Sequence, residues 1–332
     1  AKPPTSNISL LHSSPRKQPA KGKDHVTFYR ILSFDGGGIR GLLSLILLQR
    51  LEERLPGWLD KADLLAGTST GGIIALGLAH GVTVAELRRL YEERGKLVFD
   101  DSWWDDLCDL GKTRGADYKT KNLETEVRRL LGTAKLKDLG KRVLIPAFDL
   151  DNEKPEERCW APKFFNNFPG EDSDGEQLAY KVALYTSAAP TYFPSVDGYI
   201  DGGVAANNPS MAALAVTQDH RAFGKNTPNH DEIALLSIGT GKSLVRIEGK
   251  NLDWGYAQWA RPIIDMMLDG VMGVADYQCR QILGDNYFRL APVFPPDIVI
   301  PFDGVKRIPE LVAFAEKVHI SKTIEWLKTV WK

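Results

Sequence analysis

Residues 28–51 read FYRILSFDGGGIRGLLSLILLQRL. The β-prone run at 28–34 stops at Asp35-Gly36-Gly37-Gly38, and residues 42–51 are apolar enough for a buried helix, so strand, glycine turn and helix follow one another. A second copy comes at once: a buried strand at 62–66, a turn at 67–72 and a helix at 73–79 ending near Gly81. Two such units in succession predict neighbouring parallel strands joined by right-handed crossovers. Further strands are expected at 142–150, around Ile200 and at 232–238, with helices at 121–131, 177–188 and 210–223. This alternation indicates an α/β layered fold with a mostly parallel sheet.

Beyond residue 242 the pattern turns helical. Pro262–Leu283 places Ile263, Met266, Met267, Val271, Val274 and Ile282 at spacings near three and four, which predicts a helix packed on the sheet, with a lipid-contacting lid as the alternative. The organisation expected is a flexible basic arm over 1–26, where Pro3, Pro4, Pro15 and Pro19 stand without hydrophobic periodicity, then one α/β domain over 27–332. Its motif-bearing core is 28–242 and its helical C-terminal portion 243–332.

Composition sets outer limits. With 43% hydrophobic and 26% charged residues in 332, disorder is excluded as the main state. Lys and Arg number 42 against 43 Asp and Glu; since the first 23 residues carry five cations and no acid, the remainder is mildly acidic and lacks the basic footprint of a nucleic-acid binder. Cys108, Cys159 and Cys279 form no C-x-x-C pair, which argues against a disulfide framework or a zinc ribbon and for a reducing compartment. No apolar run approaches the ~18 residues of a membrane span. A cytoplasmic protein with peripheral membrane contact is expected, and Trp103 and Trp104 with nearby Phe99 are candidates to seat at headgroup level, or to pack in the core.

The glycine turns carry the chemistry. Gly36, Gly38 and Gly41 satisfy G-x-G-x-x-G, but Asp60 and Asp63 stand where a dinucleotide site needs the acid that closes a second strand. Neither Gly111-Lys112-Thr113 nor Gly241-Lys242-Ser243 has the upstream glycine of a phosphate-binding loop; Asp106 and Leu236 occupy its place. Gly67-Thr68-Ser69-Thr70-Gly71 puts a serine on a sharp strand-to-helix turn, where small neighbours are required and the helix dipole favours negative charge on its oxygen. Ser69 is therefore the candidate nucleophile, with a helix-capping serine as the alternative. None of the six histidines ends an expected strand at a glycine turn, whereas Asp201, in Ile200-Asp201-Gly202-Gly203, does; Asp201 is the candidate base. The backbone of Gly36, Gly37 and Gly38 would approach a tetrahedral oxyanion without Cβ atoms in the way, the Thr70 N–H being a further donor.

Asp35-Gly36-Gly37-Gly38-Ile39-Arg40-Gly41, Gly67-Thr68-Ser69-Thr70-Gly71-Gly72 and Asp201-Gly202-Gly203, in that order, resemble the patatin-like phospholipase family. The segments at 188–194, 207–209 and 237–241 look like family segments too, so the likeness covers about residues 28–242. The resemblance implies a three-layer α/β/α fold with additional C-terminal helices, and a lipid acyl hydrolase of phospholipase A or lysophospholipase type. It further implies a Ser69–Asp201 dyad without histidine, metal or cofactor, Gly36 to Gly38 as oxyanion hole with Arg40 in support, and phospholipid or another acyl lipid at a membrane surface as substrate. An acyltransferase on the same scaffold, a nucleotide-binding module, a vestigial storage protein, a nucleotide-regulated effector with a small-molecule activator, and a homo-oligomer stay open.

Overall fold

The computed structural model describes residues 28–99, 114–171, 173–190, 193–244, 246–247, 254–259 and 262–332. The basic arm and the Trp103–Trp104 pair lie outside the described residues, as does the Phe99 side chain.

Seven strands form one sheet: β1 (Tyr29–Phe34), β2 (Leu64–Gly67), β3 (Arg142–Asp149), β4 (Ala161–Asn166), β5 (Tyr199–Asp201), β6 (Ile233–Ile238) and β7 (Tyr287–Leu290). Their order is β4-β3-β2-β1-β6-β7, parallel except for β4 and β5, which both run antiparallel to β3. The helices are α1 (Gly41–Arg54), α2 (Thr70–Ala79), α3 (Val84–Phe99), α4 (Arg114–Leu131), α5 (Ala179–Ser187), α6 (Gly203–Ala206), α7 (Ser210–Thr217), α8 (His220–Phe223), α9 (Tyr256–Trp259), α10 (Pro262–Leu283), α11 (Ile308–Lys317) and α12 (Ser321–Val330).

Side chains alternate across the pleat, and this divides the core into two. Leu32, Phe34, Leu65, Val143 and Ile145 face α1, α2, α4, α5, α11 and α12, while Ile31, Leu64, Ala66 and Leu144 face α7 and α10. The sheet thus lies between two helical layers, as expected. In α1 every apolar residue from Leu42 to Leu48 is fully covered, which is why that stretch shows no polar face.

Two expectations are corrected. The C-terminal portion also supplies a strand, β7, which extends the sheet beyond β6. In α10 the apolar residues Ile263, Met266, Met267, Val274 and Ile282 are exposed; the helix packs instead through Leu268, Ala275, Cys279 and Leu283. Periodicity located the helix but not its covered side, because both sides of it are apolar.

Candidate active site

The register of β3 brings the two candidate catalytic residues together. One edge of β3 carries β4 along Leu144–Asp149; the other is shared by β2 at Arg142–Leu144 and by β5 at Ala147–Asp149. β5 therefore sits in line beyond the carboxyl end of β2, and Asp201, which closes β5, lies beside the turn that carries Ser69 out of β2. The Ser69 side chain stands near enough to the Asp201 carboxylate to favour its charged form.

Ser69 holds φ 54° and ψ −125° between β2 and α2, a conformation that costs a non-glycine residue about 1–3 kcal/mol and must be imposed by its surroundings. Those surroundings are tight. A Cβ on Gly67 would lie 2.0 Å from the Gly71 carbonyl oxygen, and one on Gly71 2.5 Å from that of Phe34. The Ser69 N–H donates to Thr186 Oγ1 (2.9 Å), which donates in turn to the Pro146 carbonyl of β3 (2.5 Å). Thr68 Oγ1 donates to the Ala206 carbonyl (2.6 Å), and the Thr70 hydroxyl bonds that of buried Tyr91. Ser69 itself is half-buried between buried Thr68 and Thr70.

Asp201 is 6% exposed. Burial pushes its carboxyl up to about 6, opposed by the Ser69 side chain and by the hydrogen bond from the Gly203 N–H (2.7 Å). That value suits a base working near neutrality far better than the usual carboxylate range.

The glycine loop lies against Ser69, since a Cβ on Gly36 would come 3.3 Å from Ser69 Cβ and 2.1 Å from Asn207 Oδ1. Its three amides are not equivalent. The Gly36 N–H donates to the Asn207 carbonyl (2.9 Å) and the Gly36 carbonyl accepts from Thr240 Oγ1 (2.9 Å), so this residue anchors the loop instead of offering a donor. The expectation of three donors is reduced accordingly. The Gly37 and Gly38 amides have no protein acceptor among the described residues, and Ile39 N–H ties the far end to the Phe302 carbonyl (2.8 Å). Arg40 is buried with its guanidinium over the Phe302 ring at 4.1 Å, close enough to Asp265 of α10 to act on its charge.

Three residues that sequence reading missed complete the frame: Thr186 beneath Ser69, Asn207 against Gly36, and Arg289 on β7, which grips Asp35. Asn207 stands in the Asn207-Asn208-Pro209 segment already noted, the one signal that could have marked it. Among the described residues no three or more His, Cys, Asp or Glu side chains are grouped to hold a metal ion.

The sequence profile of the patatin-like phospholipase family matches residues 32–214, more than half of the chain. The chain belongs to that family. Patatin-like phospholipases are lipid hydrolases, and both glycine turns and Asp201 of this patatin-like chain fall within the matched residues. It is 32% identical over 279 residues to a cGAMP-activated phospholipase of Pseudomonas aeruginosa, covering 81% of this chain and 80% of the relative. It is 29% identical over 333 residues to Protein teg of Priestia megaterium (92% and 100%). Patatin-like protein 1 of Oryza sativa subsp. indica is 29% identical over 290 residues (74% and 68%). Among solved structures, VipD from Legionella pneumophila superposes with a TM-score of 0.41 at 12% identity, over 87% of this chain and 67% of that one.

Proposed function

We propose that this protein hydrolyses fatty acyl esters of membrane lipids through Ser69 and Asp201. The observation that carries the reading is the strand register that sets a strained, half-exposed serine at the head of α2 beside a buried carboxylate whose proton affinity is raised to about 6. Asp201 takes the Ser69 proton as Oγ attacks the ester carbonyl; the Gly37 and Gly38 amides stabilise the resulting oxyanion; collapse expels the lysolipid oxygen, which takes the proton from Asp201. Water, deprotonated by Asp201, then cleaves the acyl-serine, releasing fatty acid and restoring Ser69. Gly36 anchors the loop, and Arg40 supports it from below through its contact with Phe302.

The test is fatty acid release from a mixed-chain phospholipid, and nitrophenolate release from a medium-chain ester, with chelator present. Wild type is expected to act on both and Ser69→Ala on neither, with a loss of at least about 10³-fold. Activity surviving in Ser69→Ala removes the serine from the mechanism. Because relatives include proteins named cGAMP-activated phospholipases, the assay is run with and without a cyclic dinucleotide.

Substrate at a membrane needs a docking surface, and α10 is the face we assign to it. On one side Leu268 packs against Gly203, two residues from Asp201, and the Met272 carbonyl receives Asn208 Nδ2 (3.5 Å). On the other, Met267 is 56% and Tyr277 65% exposed. Apolar residues displayed on the outer side of the helix that packs beside Asp201 would set the site close to the acyl esters of a bilayer. Met267→Glu is expected to lower vesicle binding and vesicle hydrolysis about tenfold, since a charge at that depth is costly, while leaving the soluble ester untouched. Equal losses on both substrates would place the docking face elsewhere.

A further inference from the structure

We infer that Arg289 is a positioning residue for the glycine loop, holding Asp35 so that the backbone leaving β1 presents the Gly37 and Gly38 amides to Ser69. This rests on the reading of that loop as the oxyanion hole. Arg289 lies outside the residues the family profile matches, on the strand that the helical reading of the C-terminal portion omitted.

The geometry is specific. Asp35 follows the last residue of β1 and directly precedes Gly36, and it is 1% exposed. Both its carboxylate oxygens are taken by one guanidinium: Arg289 NH1 bonds Oδ1 (3.1 Å) and NH2 bonds Oδ2. NH1 also donates to Ser237 Oγ on β6 (2.6 Å), and the Asp35 N–H donates to the Ile238 carbonyl (3.1 Å). The point where the loop departs is thereby fixed to β6 and β7 together. A two-pronged pair of this kind restrains direction as well as distance, which a single hydrogen bond or a lysine would not do.

Charge gives the pair a second effect. An ionised Asp35 alone beside the loop would oppose the negative oxygen that forms there, and Arg289 cancels it. Asp276 of α10, 4.0 Å from Arg289 Nε, Tyr287 on β7 and Arg40 beyond the loop also act on the pair. Burial lifts the Asp35 carboxyl above the usual range while Arg289 draws it down. Removing Arg289 takes away the cation that draws this carboxyl down, so it keeps its proton to higher pH than in wild type, and activity should fall as pH rises through its ionisation. The pair borders a cavity of about 240 Å³ lined also by Thr240, Lys242, Asp269 and Arg280, which gives a small cation a route to it.

The experiment uses full-length protein and the soluble nitrophenyl ester, with a fluorophosphonate that labels the serine as a readout independent of turnover. Arg289→Ala is expected to lower kcat and labelling rate at least 100-fold with KM within threefold, the size of effect seen when an oxyanion donor is misplaced. Arg289→Lys, which keeps the charge without the fork, falls between. Arg289→Ala alone gains a limb of falling activity towards high pH, Asp35→Asn/Arg289→Ala lacks it, and 20 mM guanidinium chloride restores part of the Arg289→Ala rate where sodium chloride does not. If Arg289→Ala does not fold, Arg289→Lys and the double variant carry the same test. The inference is overturned if the folded variants keep kcat within threefold of wild type, or lose only thermal stability with no new pH limb and no rescue. Wild type that neither hydrolyses the ester nor takes the label overturns the hydrolase reading, and this inference with it.

Discussion

Asp201→Asn is expected to lose roughly 10⁴-fold in kcat while folding normally, because the amide cannot accept the Ser69 proton. The wild-type enzyme should show a rising acid limb with its midpoint near 6, since the base is active as the carboxylate and burial has pushed its carboxyl up to about 6. An unperturbed aspartate would place that limb near 4. The same shift acts on stability with a definite sign. Between the ordinary value of 3.8 and about 6 the folded protein binds more protons than the unfolded chain, so stability falls as pH rises through this window and stays lower above it. Asparagine carries no charge to bury, so Asp201→Asn should be more stable than wild type at pH 8, by up to about 3 kcal/mol, and show little difference below pH 4. Initial rates from pH 4 to 9 and thermal unfolding at pH 4 and 8 check both parts. A variant that keeps most of its esterase activity, or is destabilised at pH 8, removes Asp201 from the role of buried base.

Ser69 and Asp201 were legible in the sequence because each sits where a strand ends in glycines, and that arrangement is local. Gly67 and Gly71 must lack a Cβ for the turn to close, so sequence spacing records the constraint directly. The frame around them is not local. Arg289 meets Asp35 254 residues away in sequence and Thr186 reaches Ser69 across 117, and neither carries a neighbouring signal. A single arginine in Tyr287-Phe288-Arg289-Leu290 reads like the solvent side of an edge strand; only the register Ser237↔Arg289 turns it onto Asp35. β4 escaped notice because Pro162 and Lys163 weaken the strand pattern of its six residues.

On the proposed mechanism, the sheet also gives the reason an aspartate would suffice as base. β5 is three residues long and antiparallel, wedged into the edge of β3 that β2 leaves open, so Asp201 is presented at close range and with little water around it. The burial that makes the carboxylate basic enough and the register that brings it to Ser69 are one structural fact. The same economy holds at the loop. β1, β6 and β7 end together, and their ends fix Asp35 and Gly36 while leaving the next two amides without acceptors among the described residues.

Gly38→Ala tests those amides. Gly38 has φ +55°, and a Cβ there would stand 2.2 Å from the backbone oxygen of Phe302, the atom that also receives the Ile39 N–H. A backbone oxygen held by a hydrogen bond cannot swing aside as a side chain can, so the loop must move. Displacing donors aimed at a developing oxyanion costs roughly 10²–10³ in kcat per donor, and that loss is expected here, with KM for the soluble ester little changed. Part of any destabilisation belongs to the left-handed backbone alone, about 1–2 kcal/mol for a residue with a Cβ. Gly132→Ala separates the two: Gly132 has φ +57° and nothing within 4 Å of the added carbon, so it should show the backbone cost without loss of activity. Unfolding temperatures and kcat for both variants decide the matter. If Gly38→Ala behaves like Gly132→Ala, stable to within about 1 kcal/mol of it and nearly as active as wild type, the loop tolerates displacement and the oxyanion is held by other donors.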